Sequence, residues 1–555
     1  MSAYIKLPSQ NDSRTRPLGR LILGPWPIVA ISGLAFLLRV INLARRPLWY
    51  DEAFAVLYAE KPLSTMLYGT ITRVQGVAAD VHPLFFYSVL HAWMRVVGQS
   101  PVAVRSLSVL LGTLTVVLAY VLARRLFDRR VGLAAAVIIA IAPFHVYYSQ
   151  EARMYALLGL AAMGTTYFFV CAWAGASRRD WVAFALFGAL TLYAHNLGVM
   201  FLVSLDVWVL WTWLRPGGAR WRNLRPFVLS HLLMFGLFAP WLAVVPSQFG
   251  KIQQAYWVEQ PGLVKLIQTV LIFHFGYDNQ SLPRWLIPLA LFFSLLILAM
   301  LIFELIRQYR TAHPRHLPAM SDSLLSAPTS LLLSLALVPI VLTFLASQVR
   351  PVYIVRALLP SALIYYLLVA KVLVGGPAPK PVKWGLFLPS GLIVVASLLN
   401  HYNYAQFPRS PFNEMAAYLG THYQPGDVIV HSNKLTFLPT YYYDRSLPQE
   451  FVADEPGSPS DTLAYPTQQA LGLFATPDIE TATVGHERVW LVVFQRAIEE
   501  YRAAGYPDHP QLTWLGQYYT LVSVTSFNDL DIYEYQSGLS PTASLYERRA
   551  DEPPG

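Results

Sequence analysis

The chain carries few charged residues and a single cysteine. Of its 555 residues, 13% are charged and 55% are hydrophobic, whereas soluble domains carry roughly 25% charged residues. This deficit excludes a wholly soluble fold, because most of the chain avoids water. Cys171 stands alone in an apolar run, which excludes an intrachain disulfide and a thiolate metal cluster and favours a small core side chain.

Two phosphate-binding motifs of soluble enzymes are also missing from the sequence. Neither GxxxxGK[ST] nor a GxGxxG that follows a strand is present, and both motifs would mark a loop that cradles nucleotide phosphates. A nucleotide-sugar or ATP is therefore not expected as the direct substrate, and no nucleic-acid partner is predicted.

Long apolar runs are what the sequence has instead. A membrane-spanning helix needs roughly 20 apolar residues, and mean hydropathy is +0.42 over the whole chain. The runs predict an α-helical polytopic membrane protein with about eleven spans, near 21–43, 104–123, 131–149, 156–174, 181–194, 197–214, 226–245, 285–306, 327–347, 357–373 and 384–400. The shorter segments 83–97 and 263–280 are interpreted as juxtamembrane or re-entrant parts of outer loops.

Charge divides the chain into two parts and predicts its orientation. Residues 1–400 hold 33 Lys and Arg against 13 Asp and Glu, whereas residues 401–555 hold 8 against 19. Short basic loops recur at every second connection, and such loops face the cytoplasm. We therefore expect a cytoplasmic N-terminal tail (1–20), a first outer loop (44–103) and a C-terminus outside the inner (plasma) membrane, periplasmic or extracellular.

Residues 401–536 have a different sequence pattern, which indicates an α/β domain outside the membrane. Segments 425–433, 440–444, 488–495 and 519–527 are predicted to contain strands, and 413–423 is predicted to be a helix. The polar tail 537–555 is predicted to be disordered.

Five polar clusters are predicted to lie on the outer side. They are Asp51-Glu52, Asp80 with His82, Glu151 with Arg153 and Tyr155, His195, and Arg350 with Arg356. Each has a structural interpretation: a helix cap for Asp51 and Asp80, charged residues at a membrane border for Glu151 and Arg153, a structural histidine for His195, and an interface anchor for Arg350 and Arg356. All five clusters are nevertheless predicted to lie on the same side of the membrane, which favours a site for an anionic, lipid-linked substrate.

Five motifs carry a resemblance to a known family. PLWYDEAF (47–54), HPLFFYSVLHAW (82–93), YYSQEARMYALL (147–158), YAHNLGVMFL (193–202) and VYIVRALLP (352–360) resemble the GT-C glycosyltransferases of family 39, in the bacterial form of the protein O-mannosyltransferase and aminoarabinose transferase group. The resemblance covers residues 21–400 and implies a GT-C transmembrane catalytic domain.

The resemblance implies that a sugar passes from a polyprenyl-phosphate carrier to an acceptor hydroxyl on the outer face, with inversion. By that analogy Asp51 is the general base, and Glu52 and Glu151 are supporting acidic residues. The donor phosphate and substrate would be bound by His82, Arg153, Tyr155, His195, Arg350 and Arg356. His-Pro-Leu at 82–84 replaces the family's His-Pro-Pro, and Arg-Ala-Leu at 356–358 replaces Arg-Tyr-Leu.

Several alternatives stay open at this stage. No cofactor is required, but a divalent metal ion on Asp51, His82 and Glu151 is one option. The identity of the sugar is left open, as is that of the acceptor, which is a lipid, a glycan or a protein. Membrane lipids are expected partners. The rival functions are a transporter or flippase for lipid-linked sugars, which typically has internal repeats that this sequence lacks, and a non-enzymatic membrane scaffold.

Overall fold

Helices form most of the computed structural model, which describes residues 24–175, 177–214, 221–254, 258–276, 282–311, 327–403, 410–454 and 462–538. In chain order the first helices are α1 (Trp26–Val40), α2 (Tyr50–Ala59), α3 (Leu63–Ile71), α4 (Phe85–Val97), α5 (Pro101–Leu126), α6 (Arg129–Ile141), α7 (Pro143–Ser149), α8 (Tyr155–Gly175), α9 (Arg178–Ala194), α10 (Gly198–Leu214), α11 (Trp221–Leu242), α12 (Val245–Gln254) and α13 (Val264–Phe275). They are followed by α14 (Ile287–Thr311), α15 (Ala327–Val349), α16 (Leu359–Gly375), α17 (Lys380–Asn403), α18 (Phe412–His422), α19 (Lys434–Tyr443), α20 (Tyr465–Leu471), α21 (Ile479–Thr483), α22 (Gln495–Ala503) and α23 (Pro510–Tyr518). Short 3-10 turns, Arg284–Leu286 and Val355–Leu358, precede α14 and α16.

The chain divides into two compact units, which are named here by their composition. The helical unit comprises residues 1–41, 105–243 and 258–406, and the mixed unit comprises residues 42–104, 244–257 and 407–555, insofar as they are described. The helical unit thus holds α1, most of α5, α6 to α11 and α13 to α17. The mixed unit holds the first long loop together with the C-terminal part of the chain.

The helical unit has the apolar helices of a polytopic membrane protein, as predicted. Among the described residues, seven helices are long and apolar enough to cross a membrane, namely α5, α8, α11, α14, α15, α16 and α17. An eighth span exists if α6 and α7, which are bent by 62° at their break, count as one. The remaining three predicted spans are helices α1, α9 and α10, which have 15, 17 and 17 residues; these are shorter than the roughly 20 residues that a full crossing takes.

The predicted span 131–149 is broken at Pro143. Proline lacks the N–H that would continue the helical hydrogen bonds, and it disfavours a helical residue before it. Ala142 accordingly has φ −61° and ψ 116°. Arg39 of α1, which is fully buried, supplies replacement donors at the break: Nη1 donates to Ala140 O (3.0 Å) and Nη2 to Ile139 O (3.2 Å). The sequence pattern predicted one continuous helix here because the residues around the proline, apart from His145, are apolar.

The mixed unit is built on a six-stranded sheet. Its strands are β3 (Val428–His431), β4 (Gln449–Val452), β5 (Ala475–Thr476), β6 (Arg488–Phe494), β7 (Thr520–Phe527) and β8 (Leu530–Gln536), and a separate hairpin pairs β1 (Arg73–Val74) with β2 (Val77–Ala78). The sheet order is β5-β4-β3-β6-β8-β7. Pairs among β3, β4, β5 and β6 are parallel, and β8 is antiparallel to both β6 and β7.

Helices cover both faces of this sheet, and the central strands are apolar on both sides for that reason. On one face Val489, Leu491 and Val493 of β6 pack with residues of α21, α22 and α23. On the other face Trp490 and Val492 pack with α18. The predicted C-terminal α/β domain is confirmed in its secondary structure: β3, β6 and β7 lie within the segments that were predicted to contain them, and α18 begins and ends one residue before the predicted helix 413–423.

One predicted strand is wrong. Segment 440–444 (TYYYD) forms the end of α19 instead of a strand. Thr and Tyr favour strands only weakly, and tertiary context overrides that preference. Here Asn433 caps the helix, with its side-chain oxygen accepting the Leu435 N–H at 2.9 Å. The predicted tails 1–20 and 537–555 lie outside the described residues, except for Ser537 and Gly538.

Candidate active site

The acidic pair Asp51-Glu52 lies in the first turn of α2. Trp49 is the N-cap residue, with extended backbone (φ −93°, ψ 176°), and its carbonyl accepts the N–H groups of Glu52 (3.0 Å) and Ala53 (2.9 Å). Neither acidic residue is therefore the N-cap that the structural interpretation predicted. The partial positive charge of a helix N-terminus stabilises carboxylates in the first turn. Asp51 is half-buried, whereas Glu52 is fully buried.

Residues from the C-terminal part of the chain frame this turn within the mixed unit. Helix α19 packs against α2, and the Tyr443 hydroxyl accepts the N–H of Leu48 at 2.8 Å. Lys434 is only 8% exposed, and its ammonium lies 5.9 Å from the centre of the ring of Tyr50, the residue that precedes Asp51. The sequence analysis missed this cation, because a lone lysine nearly 400 residues away shows no pattern that ties it to the acidic pair.

Asp80 and His82 form a compact cluster in the loop before α4. Asp80 Oδ1 accepts from the N–H groups of Val81 (2.6 Å) and His82 (3.2 Å), and lies 3.1 Å from His82 Nδ1. Burial tends to raise the pKa of the Asp80 carboxyl, but the hydrogen bonds and the charge of His82 outweigh burial, so that the pKa lies below its ordinary value. Asp80 therefore orients His82, and does not cap α4 as the structural interpretation held, because the N-cap of α4 is Leu84.

In the helical unit, Glu151 and Arg153 lie in the turn between α7 and α8. Both are buried, with 0% and 3% of their surfaces exposed. Gln150 fixes the start of the turn: its Nε2 donates to the carbonyls of Arg39 (3.0 Å) and Ile41 (2.9 Å). Its Oε1 lies 2.8 Å from His401 Nε2 of α17.

A close approach of two helices positions this turn. Gly112 of α5 lies against α7, and a Cβ at Gly112 would come within 2.1 Å of Ser149 Oγ. Ser149 in turn donates to His145 O at 2.6 Å. Buried His145 Nδ1 lies 2.8 Å from Arg39 Nη2. The sequence analysis missed these residues, because Arg39 and His145 are single polar residues inside apolar runs and His401 stands at the polar end of one.

Tyr155, His195 and Arg356 come together in the helical unit. The guanidinium carbon of Arg356 lies 5.4 Å from the centre of the Tyr155 ring, within the range of a cation–π contact. The His195 ring centre lies 6.0 Å from that of Tyr155. The N–H of Leu197 donates to His195 Nδ1 at 3.1 Å, so the proton of the neutral imidazole is on Nε2.

Arg350, the remaining predicted residue, lies immediately after α15 and is exposed. The candidate residues are thus divided between the units: Asp51, Glu52 and His82 belong to the mixed unit, and Glu151, Arg153, Tyr155, His195, Arg350 and Arg356 belong to the helical unit. Across the described ranges, no three His, Cys, Asp or Glu side chains gather as a group that could hold a metal ion.

Comparison with known proteins identifies the fold. The family model of dolichyl-phosphate-mannose-protein mannosyltransferase matches residues 81–244, which include His82, Glu151, Arg153, Tyr155 and His195. A search of curated protein sequences finds no match. The crystal structure of ArnT from Cupriavidus metallidurans bound to undecaprenyl phosphate is similar over 96% of this chain and 99% of that one, with a TM-score of 0.58 and 15% identity. ArnT in the apo state is similar over 93% and 98%, with a TM-score of 0.60 and 15% identity.

The fold is that of a GT-C glycosyltransferase. The five motifs implied this fold by resemblance, and the fold is confirmed, since a mannosyltransferase family model and a GT-C structure both match the chain. The roles of the individual site residues stay predictions. The GT-C fold accounts for both parts of the chain, because the match to ArnT extends over the helical and the C-terminal residues.

Proposed function

We propose that this protein is an integral membrane glycosyltransferase that moves a sugar from a polyprenyl-phosphate donor to an acceptor hydroxyl on the outer face. The proposal rests on one group of side chains. Arg356, Tyr155 and His195 lie together, next to the buried turn that contains Glu151 and Arg153. It supplies cationic and hydrogen-bonding groups of the kind that a phosphate needs. The undecaprenyl phosphate bound by ArnT, which has a similar fold, supports a donor of that chemical class.

The proposed reaction is a single displacement. The acceptor oxygen forms a bond to the anomeric carbon of the sugar while the bond from that carbon to the phosphate oxygen breaks, so the configuration inverts. The carrier departs as polyprenyl phosphate, and its developing negative charge is stabilised by Arg356 and Arg153. The guanidinium group suits this task because it presents several N–H donors to phosphate oxygens.

Asp51 is proposed as the general base that accepts the proton of the acceptor hydroxyl. Asp51 is half-buried at the start of α2, whereas Glu52 is fully buried and is proposed to support the turn. A carboxylate in a helix's first turn stays ionised readily, as a base must. The proposal places the reaction at the extracytoplasmic face of the inner membrane.

Replacement of the proposed base tests the function. In purified, reconstituted protein supplied with a polyprenyl-phosphate sugar and an acceptor extract, Asp51→Asn should lower the rate of sugar transfer by about 10²- to 10⁴-fold. Glu60→Gln is the matched control: it removes a carboxylate at the other end of α2, where Glu60 pairs with Arg445 at 2.5 Å near the surface. That pair contributes about 1 kcal/mol or less, so transfer should persist.

The outcomes separate the rival functions. Undiminished transfer by Asp51→Asn, in protein that elutes and unfolds like the wild type, would exclude Asp51 as the base. Movement of intact lipid-linked sugar across the vesicle membrane without a glycosidic product would indicate a transporter. Absence of both activities in the wild type would favour a scaffold.

A further inference from the structure

Helix α10 carries a carboxyl group at its midpoint. Asp206 is the ninth of the 17 residues of α10 and the only charged residue of that helix, so it lies about 12 Å from either end. Its side chain is too short to reach the membrane surface, as the long side chains of lysine and arginine can. Asp206 therefore stays at a depth where ionisable side chains are costly and typically mark a functional position.

A histidine of the next helix contacts this carboxyl group. Asp206 Oδ1 lies 3.0 Å from Nε2 of His231, the eleventh of the 22 residues of α11. Helix α11 is long and apolar enough to cross a membrane, so its middle, and Asp206 beside it, lie within the hydrocarbon layer. The imidazole has a fixed orientation, because Nδ1 donates to Phe227 O at 3.0 Å and the Phe227 ring centre lies 4.3 Å from its own.

The pair faces lipid. The residues one turn before and one turn after each partner are apolar and exposed, namely Val203 and Leu210 on α10 and Val228 and Phe235 on α11. The other side of α10 packs on α15: the carbonyl of Ser204 accepts from Ser334 at 2.6 Å, and Trp208 donates to Ser330 at 3.0 Å. The Asp206 side chain is 42% exposed, and this exposed part contacts hydrocarbon.

The protons of the pair decide which neighbour fits it. His231 Nδ1 carries a proton, because the carbonyl oxygen of Phe227 can only accept. Nε2 and Asp206 Oδ1 then share one further proton, and the pair is neutral whichever of the two atoms carries it. Asp206 Oδ2 is consequently an acceptor, and within the described ranges no residue donates to it.

The depth and the hydrogen bonding of this acceptor favour one kind of neighbour. Phospholipids carry their N–H and O–H donors in the head groups, about 12 Å away along the helix. A second copy of the chain, related by a two-fold axis, would bring the same acceptor to the contact. A transmembrane helix of another protein can carry a donor at this depth, and such polar contacts join helices in lipid.

We propose that Asp206 is a docking point for a transmembrane helix of another protein, which presents an amide or hydroxyl donor in the middle of the membrane. His231 orients the carboxyl group, and the exposed apolar residues around the pair pack against the partner helix. This inference does not depend on the proposed glycosyltransferase activity, because neither Asp206 nor His231 belongs to the candidate site.

Synthetic transmembrane peptides test the docking point. The probes are polyleucine helices with lysines at both ends, which carry one asparagine at the centre, one asparagine a single turn from an end, or no asparagine. Energy transfer to labelled peptide is measured from full-length protein in phosphatidylcholine vesicles, with the donor dye on Ser177→Cys in a Cys171→Ala background. The peptide with the central asparagine should bind about 3- to 30-fold more tightly than the other two.

Substitutions at Asp206 separate its role from that of the surrounding surface. Asp206→Leu should reduce binding of the central-asparagine peptide to the level of polyleucine. Asp206→Asn should retain the preference, because its amide donates to His231 Nε2 and its carbonyl oxygen remains an outward acceptor. Asp180→Leu is the matched control, since it removes a carboxylate from the first turn of α9, at the end of a helix, and should bind like the wild type.

The comparison of the three peptides on the wild type needs no substitution, so it decides the matter even if Asp206→Leu fails to fold. Four results would overturn the inference. They are equal binding of the three peptides by the wild type, equal losses in Asp206→Leu and Asp180→Leu, loss of the preference in Asp206→Asn, and energy transfer between differently labelled copies of the protein that the central-asparagine peptide abolishes. The last result would assign Asp206 to a contact between two copies.

Discussion

Arg356 enters α16 through the 3-10 turn Val355–Leu358, and its guanidinium group lies over the Tyr155 ring. The ring restricts the side chain, so that less conformational entropy is lost when a phosphate binds. A lysine at the same position would keep the charge but would lose the planar fork and the stacking. The contact favours the predicted phosphate-binding role of Arg356 over the alternative of an arginine that merely anchors a span, and that role stays a prediction.

Arg356→Lys should raise the KM for the lipid-linked donor by about tenfold, since stacked or bidentate arginine contacts are worth about 1 to 2 kcal/mol. Arg356→Met should weaken binding further because the charge is also lost. Donor titration with the purified variants measures both effects. Arg284→Met, an exposed arginine before α14, should leave the KM unchanged. Equal effects of Arg356→Met and Arg284→Met would contradict a specific role for Arg356.

The sequence motifs pointed to the candidate site residues that they contain, but no sequence pattern pointed to charged residues that are buried within apolar runs. Glu151, Arg153, Tyr155 and His195 stand in motifs that span several residues, so a pattern points to them. Arg39 and Lys434 have no such context. Their roles depend on which helix packs beside them, and that is decided by long-range contacts that no local pattern records.

At the level of elements, β3 and α19 link the sheet to the acidic pair within the mixed unit. Strand β3 leads through Ser432 and Asn433 into α19, which packs against α2. The strand was predicted because its apolar, β-branched run is local information. The end of α19 was predicted to be a strand, because its Thr- and Tyr-rich sequence favours strands locally. Only the tertiary packing stabilises a helix there.

His431 at the end of β3 should make this link sensitive to acid. It is fully buried, and burial lowers the pKa of its imidazole from 6.5 to about 3. Between these pH values the unfolded chain binds the proton that the folded chain excludes. Stability is therefore fully present above pH 6.5 and decreases as the pH falls, with about 2 kcal/mol lost at pH 5.

Hydrogen exchange of β3 in the full chain, corrected for the intrinsic effect of pH, measures this loss of stability. Wild-type protection should decrease between pH 7.5 and pH 5, and His431→Gln should remove most of that decrease. His422→Gln, at an exposed histidine of α18, should behave like the wild type. Protection of β3 that is independent of pH in the wild type would show that His431 does not couple the strand to protonation.

At the scale of the whole molecule, the two units interleave along the chain. The mixed unit gathers the first long loop, a short segment at 244–257 and the C-terminal residues. Hydropathy predicted the apolar helices because each run is local. It did not predict that the loop with Asp51 and the distant C-terminal sheet share one compact unit, since that depends on contacts between residues hundreds of positions apart.

The orientation predicted from the basic loops has a direct test, because Cys171 is the sole cysteine of the chain. Cys171→Ala removes the only thiol, and its buried side chain (6% exposed) makes the change a mild one. Two reporters are then introduced separately: Thr421→Cys at an exposed position of α18, and Ser177→Cys at the exposed start of α9. A membrane-impermeant maleimide should label Thr421→Cys in intact cells, whereas Ser177→Cys should react only after the membrane is permeabilised.

The reverse labelling pattern would place the basic loops outside, against the expected retention of Lys and Arg in the cytoplasm. It would also move the start of α2 and the proposed base Asp51 to the cytoplasmic side, because residues 42–104 share a compact unit with α18. A lipid-linked donor presented at the outer surface would then be out of reach of that base. The labelling experiment therefore tests the membrane topology and the outer-face reaction together, without any assumption about the sugar or the acceptor.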